Sequence, residues 1–253
     1  MNAVSPLRLL RIESVEAPSR VRVPGFPSIL VPRRVPSFSA RLQSTTRSER
    51  WSLTNAIAVL LTAAGTLWLG TLGPLLFVGL AMLGVLVATH RNQWTPTGPF
   101  GAANGVTAVR AGLLILLPSA ASLGPLSLIA LSLLFLGLDG VDGRLARQYA
   151  QSSEFGAFFD KETDALFLLL LCGLAAFQGP LGPWILGAGL LRYGFVVAIF
   201  LLPTPKKTES RSTAARYVYG LMVTALLASF LLPPGGAVPL AMGAMGALLV
   251  SFG

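Results

Sequence analysis

The sequence predicts an all-α integral membrane protein, and three observations carry that expectation. Of the 253 residues, 53% are hydrophobic and only 11% are charged, where a soluble domain carries roughly 25%. From Trp51 onward apolar runs recur, each close to the ~20 residues that a helix needs to cross a bilayer. The basic residues between those runs fall in alternate turns only, as they do when such turns face the cytoplasm.

Taken in order, the apolar runs predict eight spans, at about 53–70, 74–89, 105–121, 124–139, 157–177, 183–202, 216–232 and 237–252. Turns rich in Gly and Pro separate them, among them Gly73-Pro74, Gly124-Pro125 and Gly179–Pro183. With the N-terminus inside, the outer turns lie near 71–74, 118–125, 178–183 and 233–238, and none holds a lysine or arginine. The inner segments hold His90 and Arg91, then Arg144 and Arg147, then Lys206, Lys207, Arg211 and Arg216. Both termini are therefore expected in the cytoplasm. Trp51 and Trp94 fall at inner boundaries, and Trp68 and Trp184 at outer ones, where indole rings favour the membrane interface.

The net charge of +9 is concentrated at the start, with nine arginines in the first fifty positions. That segment, rich in Pro, Ser and Arg, reads as a flexible cytoplasmic tail held to anionic lipid and not to nucleic acid. An organellar transit peptide would share its composition; a bacterial inner-membrane protein with an extension is the reading adopted. The single cysteine, Cys172, and the single histidine, His90, exclude a disulfide framework, a thiolate cluster or a multi-histidine metal site within one chain. Any divalent metal would need oxygen ligands.

Four such ligands stand where a membrane protein does not ordinarily place them. Asp139 and Asp142 close the fourth span, and Asp160 and Asp164 lie in the first turns of the fifth. The spacings i,i+3 and i,i+4 project each pair from one helix face, and the hairpin between the spans lets the pairs meet. Intramembrane carboxylates suggest function by default. Four of them without counter-charge would repel, whereas two divalent cations would balance them. Hard cations such as Mg²⁺ take oxygen ligands and commonly partner phosphates, and a pair of them suits phosphoryl displacement. The plainer alternatives are a wet helix end for Asp139 and Asp142, and an ion pair of Asp160 with Lys161 or Arg147. An ion- or proton-coupled transporter would also use buried carboxylates, but the sequence holds no second acidic cluster matching the first.

Written out, Asp139–Asp164 reads DGVDGRLARQYAQSSEFGAFFDKETD. This resembles the signature of the CDP-alcohol phosphatidyltransferase family at every fixed position: Asp139, Asp142, Gly143, Ala146, Arg147, Gly156, Asp160 and Asp164. Upstream, Asn104, Thr107 and Arg110 look like the N-x-x-T-x-x-R that opens the first core helix in many members. The plainer alternative is a capped helix entry with a snorkelling arginine. The resemblance implies a six-helix CDP-alcohol phosphotransferase core over 101–253, preceded by two extra transmembrane helices (51–100) and the basic tail (1–50).

It further implies that Asp139, Asp142 and Asp160 bind divalent metal, Mg²⁺ or Mn²⁺, as two ions. Asp164 also lies at the metals and acts as general base. Asn104, Thr107, Arg110, Gly143, Ala146, Arg147 and Gly156 are implied for the CDP moiety. The donor would be CDP-diacylglycerol or another CDP-alcohol, drawn from membrane lipid, and CMP would leave. The acceptor alcohol is not legible. Arg192, inside the sixth span, and Arg216, at the mouth of the seventh, suggest a phosphorylated one; Arg192 could equally pair with Glu162. Gly187, Gly189, Gly243 and Gly246 allow close helix contact, and the resemblance admits a homodimer.

Overall fold

The computed structural model describes residues 46–202 and 213–252. The tail 1–45 and most of the basic segment 206–216 lie outside the described residues. The chain divides into Met1–Arg41 and Leu42–Gly253, and every helix below belongs to the second unit. Among the described residues there are helices and turns but no strands.

Helix α1 (Arg47–Leu69) opens with a reciprocal cap. Thr46 Oγ1 accepts from the Glu49 amide at 3.2 Å, and Glu49 Oε2 accepts from the Thr46 amide at 2.8 Å, so two otherwise unpaired donors are satisfied. Gly70, at φ 66°, ends the helix in the left-handed conformation. Helix α2 (Gly73–Thr89) carries Pro74 in its first turn and returns beside α1. At the shared end, Arg47 Nη1 donates to the Thr89 carbonyl at 2.6 Å.

Helix α3 (Gly101–Leu113) leads through a 3₁₀ turn, Leu114–Leu116, into α4 (Leu117–Leu123). The interruption has a local cause. Pro118 carries no amide hydrogen for the carbonyl four residues back, and a tighter turn takes up the gap. Helix α5 (Pro125–Gln148) runs past Asp142 for six further residues, where the sequence predicts a span ending at Asp139. The added segment contains Leu145, Ala146 and Arg147, good helix formers. A helix end facing water needs no apolar composition, so hydropathy places the boundary too early.

Helix α6 (Glu154–Phe177) is the centre of the bundle and packs against α2, α3, α4, α7 (Leu186–Leu201) and α8 (Thr213–Ser229). Every residue from Ala165 to Ala175 is buried, as expected of a helix that is apolar all round. Gly189 on α7 lets the two backbones meet: a Cβ there would lie 2.7 Å from Leu169 Cα. Helix α9 (Pro234–Phe252) pairs with α8.

By length and composition, five of the described helices can cross a membrane: Arg47–Leu69, Gly101–Leu123, Pro125–Gln148, Pro183–Leu201 and Pro234–Ser251. Gly73–Thr89 and Ala214–Ser229 are apolar but shorter. Side chains such as Leu61, Trp68, Phe77, Leu126 and Val250 point outward, each more than two-thirds exposed, a surface suited to lipid and not to water. Two of the tryptophans are tied into the protein. Trp51 is buried, donating from Nε1 to the Met82 carbonyl at 3.1 Å. Trp94 donates to the Val87 carbonyl at 3.0 Å. Both ring N–H groups are thus spent on closing α2 against its neighbours.

Candidate active site

The turn between α5 and α6 is held by hydrogen bonds at both of its ends. The Tyr149 amide donates to Leu145 O and the Gln151 amide to Ala146 O, both at 2.9 Å. Ser153 caps α6, its Oγ accepting from the Gly156 amide at 2.9 Å and donating to Trp94 O at 2.7 Å. Gln151 Oε1 accepts from the Ala102 amide at 2.9 Å, tying the hairpin to the start of α3. Gly101 begins α3 at φ 76°, and a Cβ there would lie 2.8 Å from that same Gln151 oxygen. The positive φ favours glycine, and a larger residue would also displace the Gln151 side chain.

Asn104 completes the junction. Its Nδ2 donates to Trp94 O at 2.9 Å and to Phe100 O at 2.7 Å. A Cβ on Gly156 would fall 2.8 Å from Asn104 Oδ1, so a larger residue there would push the Asn104 side chain from its place between α3 and α6. One turn on, Thr107 Oγ1 donates to Asp142 Oδ2 at 3.1 Å.

These contacts bring α3, α5 and α6 together around Arg110. Its Nη1 lies 3.2 Å from Asp139 Oδ1, 2.9 Å from Asp142 Oδ2 and 2.5 Å from Asp160 Oδ1, and its Nη2 lies 2.5 Å from Asp164 Oδ1. The guanidinium is fully buried and rests 4.5 Å from the Phe135 ring centroid, a cation–π contact. Phe135 in turn stacks on Phe167 at 4.1 Å. The carboxylates open outward from this floor: side-chain exposure rises from 8% at Asp142 to 47% at Asp139. Tyr219 of α8 donates to the Asp164 main-chain carbonyl at 3.3 Å.

The four aspartates thus converge, as their spacing leads one to expect, but the expectation that they lack a counter-charge is corrected. Arg110 supplies one positive charge against four negative, which leaves three formal negative charges unbalanced. Oxygen donors with surplus negative charge and an open side fit a hard divalent cation. Asp139, Asp142 and Asp160 offer ligand oxygens within 4.8 Å of one another; Asp164 stands outside that group.

The remaining expected site residues divide. Gly143 is open, with only the Arg147 guanidinium within reach of a Cβ, at 3.6 Å. Arg147 itself is exposed, Ala146 half-buried, and Arg216 exposed near the start of α8. The Asn104 amide nitrogen is engaged with main-chain carbonyls, and Thr107 and Arg110 with aspartates. Arg192 is turned to Glu162 and pairs with its Oε1, the alternative that its sequence position allows. Glu162 Oε2 accepts from Asn55 Nδ2 at 3.2 Å, so α1, α6 and α7 share one buried polar contact. Sequence reasoning missed Asn55, Phe135 and Tyr219; only the polarity of Asn55 within an apolar run marks any of them. A cavity of about 620 Å³, lined among others by Ser48, His90, Thr95, Glu154 and Phe158, includes none of the four aspartates.

Fold and site together define an all-helical membrane protein with an oxygen-donor centre at one end of its bundle. The sequence profile of the CDP-alcohol phosphatidyltransferases matches residues 100–252. The chain belongs to that family. No curated protein and no solved structure gives a significant match. Helices α1 and α2 precede the matched region.

Proposed function

We propose that the protein transfers a phosphatidyl group from CDP-diacylglycerol, or another CDP-alcohol, to the hydroxyl of an acceptor alcohol, releasing CMP in phospholipid synthesis. Family membership supports the reaction class. The observation that carries the reading is the four-carboxylate centre, three charges short of neutrality and open on one side.

In this reading Asp139, Asp142, Asp160 and Asp164 hold Mg²⁺ or Mn²⁺, as two ions, which would neutralise the pyrophosphate and the departing CMP. The protein's own groups do the rest. Thr107 fixes Asp142 by hydrogen bonding to one of its oxygens. The exposed Arg147 lies over Gly143, where the missing side chain allows a pyrophosphate close approach. Asn104 and Gly156 hold the junction beside which the cytidine would lie. Asp164 accepts the proton of the acceptor hydroxyl. The acceptor oxygen then bonds to the phosphorus bearing the lipid, and the bond from that phosphorus to CMP breaks. Positioning and charge neutralisation do most of the work in such transfers.

The membrane arrangement that goes with this is eight spans with both termini cytoplasmic, which sets the aspartates at the inner boundary. There a water-soluble nucleotide and a lipid tail can share one site. Arg216, with the basic segment before it, would gather a phosphorylated acceptor. Arg192 would reach one only by leaving Glu162.

Purified protein in detergent, given CDP-diacylglycerol, Mg²⁺ and a panel of alcohols including glycerol 3-phosphate, inositol phosphate and serine, should release CMP with one of them. Folded protein that binds Mg²⁺ yet releases no CMP with any acceptor overturns the proposal.

A further inference from the structure

The family reading accounts for the aspartates through the cation and for Arg110 through the nucleotide. The geometry around Arg110 fits a different role. A guanidinium meant for a diphosphate needs a free edge directed at the site. Both terminal nitrogens of Arg110 are taken by carboxylates, and the side chain has no exposed surface. It lies at the floor, pressed on Phe135, whereas Asp139, Asp160 and Asp164 are partly exposed above it.

The pattern of oxygens is the telling detail. Arg110 takes one oxygen from each aspartate: Oδ1 of Asp139, Oδ2 of Asp142, Oδ1 of Asp160 and Oδ1 of Asp164. Thr107 donates to that same Oδ2 of Asp142. Each carboxylate keeps its second oxygen outside these contacts. A planar cation with two terminal nitrogens can bridge groups on two helices in a way that a point charge cannot. Here Nη1 spans α5 and α6, while Nη2 reaches Asp164 alone.

We infer that Arg110 is a positioning residue for the metal centre: from beneath, it holds one oxygen of each of the four aspartates and so sets the spacing of the oxygens left for a divalent cation. The inference rests on the metal-carboxylate reading above and moves Arg110 from the nucleotide to the ligand cage. Partners that orient metal ligands from behind commonly matter for affinity by about 10- to 100-fold when altered.

The test is direct Mn²⁺ binding, followed by the loss of the free-ion electron paramagnetic resonance signal, with full-length protein in detergent. Arg110→Lys keeps the charge and removes the planar pair of nitrogens, so a purely electrostatic role predicts unchanged affinity. The positioning role predicts binding weaker by about tenfold or more. In turnover it predicts a lowered kcat at saturating Mn²⁺ with the KM for CDP-diacylglycerol within about twofold, because the nucleotide is not what Arg110 holds. Phe135→Leu removes the ring beneath the guanidinium without touching a carboxylate. It should weaken Mn²⁺ binding in the same direction by a smaller factor, and it carries the test if Arg110→Lys does not fold.

Wild-type Mn²⁺ affinity in both variants, or tighter binding in either, overturns the inference while the metal-dependent reading stands. A raised KM for CDP-diacylglycerol at unchanged Mn²⁺ affinity returns Arg110 to the nucleotide. Wild-type protein that binds no Mn²⁺ overturns the metal reading itself.

Discussion

Helix α6 meets an arginine on each of two faces, Arg110 fully buried and Arg192 half-buried, and the two contacts are built on different balances. On one face Arg192 pairs with Glu162, whose other oxygen is satisfied by Asn55. One positive charge meets one negative, and nothing is left over. On the other face Arg110 meets four aspartates and leaves three negative charges unanswered. Asp160, Glu162 and Asp164 are neighbours in sequence, yet the helical repeat sends Glu162 away from the other two. A closed pair in a membrane protein is a structural joint, whereas an open surplus is a place for a ligand. The same residue types, about half a turn apart, therefore differ in charge balance: one contact is closed and the other carries a surplus.

Substitutions on the two faces should fail in different ways. The largest effect belongs to Asp164→Asn, which removes the proposed base. CMP release should fall by about 10²–10⁴-fold while the melting temperature in detergent stays near that of the unaltered protein. Glu162→Ala should do the reverse. It strands Arg192 without its partner and should destabilise the fold by about 3–5 kcal/mol, read from denaturant unfolding in detergent. Replacing both Glu162 and Arg192 by Met should recover most of that loss, since a buried pair exchanged for apolar packing is often neutral. A double variant as unstable as the single one would show that Glu162 has a partner more important than Arg192.

Smaller effects sharpen the contrast. Thr107→Val removes a hydrogen bond to a carboxylate, of a kind contributing about 1.5–3 kcal/mol, and on the open face it should appear as a roughly tenfold loss of kcat or more. Asn55→Leu removes the neutral half of the closed contact, also a hydrogen bond to a carboxylate, and should lower stability by about 1.5–3 kcal/mol with activity per folded molecule unchanged. Loss of activity in Asn55→Leu beyond its loss of folded protein would tie α1 to the chemistry and blur the division.

Much of the helix layout was legible from hydropathy, because apolar length and Gly/Pro turns report directly on helices that must satisfy their own backbone in lipid. The reading failed where that pressure is absent. The water-side end of α5 extends beyond Asp142, and the break at Leu114–Leu116 follows from a single proline inside an apolar run. At the site, the four aspartates declared themselves through spacing. Arg110 was visible as part of an upstream motif, but neither its contact with all four carboxylates nor its burial was. Asn104 and Arg192 looked available for substrate because a sequence shows polar atoms without showing what they already touch.

By itself, then, the sequence determined the helical membrane class and the pairing of aspartates on one face of each helix, since both follow from local periodicity and composition. The tertiary structure alone decided which charges meet. Arg110 is brought from α3, Asn55 from α1 and Arg192 from α7 to opposite faces of one helix. Electrostatics in a low-dielectric bundle depends on separations of a few ångströms, and no spacing along a chain specifies those.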